Sequence, residues 1–123
     1  MMIFGLFGNK DERKARQINK DALTIIDQAE QTFTDSRLIE IAATFTEHLT
    51  RAHEMFGHAA IDLRRAEYEY RKLNKEARRR NEQANMTALT FVVIYLHAEL
   101  IGIAAAPARA AIDQFVTRWS RET

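Results

Sequence analysis

From Leu38 to Ala77 an apolar residue recurs every three or four positions: Leu38, Ala42, Phe45, Leu49, Ala52, Phe56, Ala59, Leu63, Ala66, Tyr70, Leu73, Ala77. Steps alternating four and three average about 3.5 residues per turn, so a helix holds such a stripe against a partner by supercoiling gently to the left. The pattern predicts one long helix over about residues 36–80, about 65 Å at the rise of an α-helix. Gly57 falls inside it with no proline beside it. We read that glycine as close packing or a mild bend, at a cost of about 1 kcal/mol relative to alanine.

Upstream, Ile18, Ala22, Ile25, Ile26, Ala29 and Phe33 form a second stripe at helical spacing, with Lys20, Asp21, Asp27 and Glu30 outside it. Asn9 and Glu12 have capping-box spacing, which predicts a helix over about 10–33. Thr34-Asp35-Ser36 offers three consecutive capping side chains, and the chain is expected to turn there. Residues 1–9 form an apolar arm, too short and too poor in basic residues for a secretion signal.

Arg78 to Asn85 is polar and carries two asparagines, which predicts a reversal near 81–85, although the heptad phase also runs straight through. The segment that follows, about 85–121, has only one formally charged residue, Glu99, between Met86 and Ala106. A helix with two apolar faces is central in a bundle, shared between subunits or immersed in lipid. Its length suffices to span a bilayer, but a glutamate at mid-bilayer is costly, and burial in protein is the better reading. Pro107 kinks this helix or opens a new one.

The 123 residues are expected to form a single helical domain, residues 10–123, after the arm. Four glycines and one proline leave few punctuation points, which favours long helices over short strands. No cysteine is present, so disulfides and thiolate chemistry are excluded, and a reducing cytoplasm is a fitting compartment. The net charge of +1 argues against a dedicated nucleic-acid binder.

The expected fold is all-α: an antiparallel bundle of three long helices with a protruding helical hairpin. The first helix is too short to cover more than the first half of the second helix and the last half of the third. Residues 60–105 would therefore expose an apolar face, and two copies would bury it as a four-helix bundle. Leu63, Ala66, Tyr70, Leu73, Met86, Leu89, Phe91, Val93 and Ile94 are the expected homodimer interface.

Candidate chemistry is sparse. Glu54, His58 and Asp62 stand four residues apart on one helical face, a spacing that suits a metal, with His97 as a further ligand. The paired glutamate–histidine repeats of bundle metal sites are missing, so a solvated charged row is the simpler reading and no cofactor is expected. Arg71, Lys72, Lys75, Arg78, Arg79 and Arg80 form a basic patch. Residues 61–83 hold eight basic and five acidic side chains, a local charge of +3. Cations in the last turn of a helix also complement its dipole, and no aromatic interleaving points to nucleic acid.

These features predict a non-enzymatic helical interaction or scaffold protein that acts as a homodimer. One alternative is a peripheral membrane protein using the apolar arm and the basic cluster 71–80. Another is a helical-bundle ligand or metal sensor.

Overall fold

The computed structural model describes residues 2–120, with side chains from Asp11 onward. Among the described residues the chain is all-helical: α1 (Met2–Thr32), α2 (Asp35–Phe56), α3 (Ala60–Arg79), α4 (Gln83–Ile101), a single 3-10 turn (Ile103–Ala105) and α5 (Ala106–Arg118).

The nearly uncharged segment is the middle of the bundle. α4 packs against α3 most extensively, and also against α2, α1 and α5. Its buried residues include the consecutive run Phe91, Val92, Val93 and Ile94, which on a helix points in every direction. Each such side chain contributes about 1.5–3 kcal/mol through removal from water. Phe91 is the meeting point. Its ring stands edge-on to Phe45 of α2 at 6.3 Å and to Phe115 of α5 at 4.9 Å. Among the described residues α4 is the one helix long and apolar enough to cross a membrane, and half of that span is enclosed by protein.

The expected helix over 36–80 is instead two helices. Gly57 adopts φ 90° and ψ −164° and ends α2, donating its N–H to the His53 carbonyl at 2.8 Å. That backbone region is open essentially to glycine alone. The seam keeps its register across the break because α2 and α3 both bury their apolar faces against α4. Leu38, Ala42, Phe45 and Ala52 lie in the core, as do Leu63, Ala66, Tyr70 and Ala77, whereas Leu73 is exposed.

A reversal does follow α3. Asn81 takes a left-handed conformation with φ 57°. The Glu82 N–H reaches the Ala77 carbonyl and the Asn81 N–H reaches that of Arg78, both at 3.0 Å. This is the Schellman arrangement with asparagine in place of glycine.

The third expected helix, over 85–121, is likewise divided, and at Gly102 rather than Pro107. Gly102 has φ 95° and caps α4, while Pro107 occupies the first turn of α5, where its missing N–H costs nothing. α5 has no side-chain cap of its own. Asn19 of α1 supplies one, accepting from the Ala108 N–H at 2.9 Å and donating to the Ala104 carbonyl at 3.1 Å. Glu30 of α1 accepts from Trp119 Nε1 at 2.9 Å and from Arg118 at 2.6 Å.

α1 itself departs from expectation in two ways. Its backbone is helical from Met2, so Asn9 lies within the helix and is not its N-cap. It packs on α4, α5 and the 3-10 turn instead of shielding α2, because Asn19 and Glu30 tie it to the carboxyl-terminal segment. Thr34, by contrast, caps α2 as its position suggests, its Oγ1 accepting from the Arg37 N–H at 3.4 Å.

Two substitutions test this architecture by urea denaturation. Phe91→Ala is expected to lower stability by about 3–5 kcal/mol, since the ring is fully buried between the Phe45 and Phe115 rings. Gly57→Ala is expected to cost about 1–3 kcal/mol from backbone strain.

Candidate functional site

The helix expected to be bare on one side is covered, and this relocates the exposed surface. Of the expected interface residues, Leu63, Ala66, Tyr70, Leu89, Phe91, Val93 and Ile94 are buried within the chain, and Met86 is half-buried. They form the bundle core because α2 packs on both α3 and α4, and α1 and α5 close on α4. Only Leu73 remains on the surface.

What α3 presents outward is a different row. Ile61, Arg65, Glu69 and Leu73 follow one another at intervals of four, and all are exposed. Positions four apart form one ridge on a helix. Tyr68 and, from the end of α2, Met55 stand beside it. Ile61, Arg65, Glu69, Tyr68, Met55 and Leu73 contribute to a notch of about 500 Å³ between α2 and α3. Arg64 and Arg65 make no ion pair among the described residues, whereas Glu69 meets Lys72 at 4.0 Å.

The floor of that notch holds a tyrosine–histidine pair. Tyr70 Oη donates to the His48 carbonyl at 3.2 Å, and His48 Nδ1 lies 3.3 Å from the same hydroxyl. Burial, and secondarily the Arg51 charge, hold the His48 pKa below its ordinary value.

On the other flank of α3 a second groove, of about 660 Å³, runs between α1 and α3 over α4. Ile18, Ile25, Val93 and Ile94 contribute apolar surface, and Arg71, Lys75 and Arg78 line its α3 side. The basic patch is thus divided by the helix. Arg71 pairs with Glu67 at 2.6 Å, Arg79 and Arg80 with Glu76 at 3.1 and 3.6 Å, and Lys72 lies over the Tyr68 ring at 5.3 Å. Lys75 and Arg78 make no ion pair among the described residues.

The row Glu54, His58, Asp62 is not brought together. The break at Gly57 leaves Glu54 exposed on α2, His58 in the connection and Asp62 in the first turn of α3. His97 faces α3, with Nδ1 at 3.5 Å from Glu67. His58 instead joins His53 and Glu99, which periodicity did not single out together. His53 Nε2 lies 2.9 Å from Glu99 Oε1, and the His53 and His58 rings are 4.3 Å apart between centroids. In a continuous helix, residues five apart point about 140° from each other. No local signal therefore pairs His53 with His58, and Glu99 is a tertiary neighbour.

Comparison with family models, with curated proteins and with solved structures gives no match.

Two groups should leave their mark on pH dependence. With a depressed folded pKa, His48 stays neutral where the unfolded chain takes up a proton. Stability is therefore expected to fall as pH drops through 6.5, and His48→Gln should flatten that limb of a thermal-melt profile. Tyr95 is pushed up to about 12, first by burial and then by Asp113, whose carboxylate its hydroxyl approaches at 3.5 Å. Between the ordinary tyrosine value of 10.0 and about 12 the unfolded chain loses a proton that the fold retains. Stability should therefore decline over that interval, and less steeply in Tyr95→Phe.

Proposed function

We propose that the protein is a non-enzymatic helical interaction protein that works as a homodimer through the outer ridge of α3. The observation that carries this reading is the order of chemistry along the ridge: apolar Ile61, cationic Arg65, anionic Glu69, apolar Leu73. An antiparallel second copy reads the same row as apolar, anionic, cationic, apolar. Arg65 then meets the partner's Glu69 and Ile61 meets the partner's Leu73, the self-complementarity a two-fold interface requires.

Exposure supports the same surface. Ile61 is 70% exposed, Met55 68%, Tyr68 62% and Leu73 45%. Four large apolar side chains gathered around one notch are more than the scattered surface hydrophobes of an ordinary monomer. Ridges of positions four apart interdigitate in the commonest class of helix packing. With α4 behind each α3, the pairing yields a four-helix arrangement across the interface.

A second reading rests on Lys75 and Arg78, cations that make no ion pair among the described residues, beside the apolar lining of the α1–α3 groove. It makes the protein a peripheral binder of anionic membrane surfaces, with the apolar residues 1–9 as an additional foot whose side chains lie outside those described. Binding to anionic vesicles that weakens in Lys75→Glu/Arg78→Glu would favour it.

Sedimentation velocity at micromolar concentration tests the homodimer. The wild type is expected as a dimer, Arg65→Glu as a monomer, and Arg65→Glu/Glu69→Arg as a dimer again. A wild type that sediments as a monomer would remove the proposal.

A further inference from the structure

We propose that His53, His58 and Glu99 form a binding site for a divalent transition metal of the zinc class. The site is independent of the ridge on α3. It stands where three parts of the fold converge: the last turn of α2, the short connection after Gly57, and the last turn of α4.

The geometry is that of three ligands around one centre. One donor atom from each residue lies within 4.8 Å of the other two. Bonds of about 2.0–2.2 Å from zinc to histidine nitrogen and carboxylate oxygen place tetrahedral ligand atoms about 3.3–3.6 Å apart. The His53–Glu99 pair, now at 2.9 Å, needs to open by only a few tenths of an ångström. His58 is on the exposed connection and adjusts by side-chain rotation.

Donor chemistry selects the class of ion. Two imidazoles and one carboxylate suit zinc, cobalt, nickel or copper, whereas magnesium and calcium take oxygen ligands. His53 and Glu99 keep only 18% and 19% of their side chains exposed, so the far side of the site is protein. His58 is exposed, and a fourth position on that side is left for water. Three protein ligands and one open position is an arrangement catalytic zinc sites use. Here the ion would fasten the α2–α3 corner to the end of α4.

Placement of Glu99 adds weight. It is the only formally charged side chain between Met86 and Ala106, and it is directed at two histidines rather than at an arginine or lysine. An arginine would serve a purely structural pairing better, through two parallel hydrogen bonds. The turn at Gly57 is what brings His58 back over His53, with the rings tilted by 31°.

The test uses the full chain without a histidine tag, stripped with chelator and titrated with cobalt(II) chloride and, separately, zinc chloride. One ion per chain is expected, with the visible absorption of four- or five-coordinate cobalt and a melting midpoint raised by about 10 °C at a hundredfold excess over Kd. His58→Asn and Glu99→Gln should each weaken binding at least about tenfold, while His97→Asn and Glu54→Gln leave it unchanged. His58 is exposed, so His58→Asn keeps the test sound if Glu99→Gln perturbs the fold. Absence of cobalt binding, binding undiminished in His58→Asn, or an equal loss in His97→Asn would each overturn the proposal and leave His53 and Glu99 as a simple hydrogen-bonded pair.

Discussion

Everything in this fold depends on covering α4, which packs against α3, α2, α1 and α5. A helix apolar around its circumference cannot satisfy its surface with one partner or two, so the chain must bring helices to each face. α3 takes one face, α2 another, and α1 with α5 the remainder. Phe91 marks where these partners converge, with the Phe45 and Phe115 rings edge-on to it. Such a centre demands short helices that can turn corners. A rod over residues 36–80 would run past the 19-residue α4 and leave half of itself without a partner.

Two glycines meet that demand. Gly57 and Gly102 both take positive φ, and each donates its N–H to the carbonyl four residues back. Their cost as interior helix residues is real only if the helix continues through them. Here each ends a helix, a frequent place for glycine. The corner at Gly57 has chemical consequences as well. It separates Glu54 from Asp62, which a straight helix would align, and gathers His53 and His58 against Glu99, which a straight helix would hold apart.

Polar side chains then fix the packing where hydrophobic contact alone would allow sliding. Asn19 reaches from α1 to cap α5, Glu30 receives Trp119 and Arg118, and Asn74 of α3 donates to the Met86 carbonyl and to Thr90 of α4 at 2.8 and 3.0 Å. The half-buried ones among these hydrogen bonds each contribute about 0.5–1.5 kcal/mol, and their larger effect is to make alternative registers leave donors unmet.

Much of this was legible in the order of residues. The stripes of α1, α2 and α3, the cap at Thr34, the reversal at Asn81 and the apolar character of the segment around Phe91 all follow from local rules of spacing and backbone preference, whereas Phe91 itself was expected at a subunit interface. Periodicity says which side of a helix is apolar, but a four-and-three pattern reads the same through a glycine whether the helix continues or folds back, because both halves seek the same core. The residue order alone therefore established an all-helical chain with a nearly uncharged centre. Tertiary structure decided that the long seam is two helices wrapped on that centre, that the residues expected at a dimer surface are interior, and that His53, His58 and Glu99 meet. Those outcomes rest on contacts between residues distant along the chain, whose energy exists only once the whole bundle has closed.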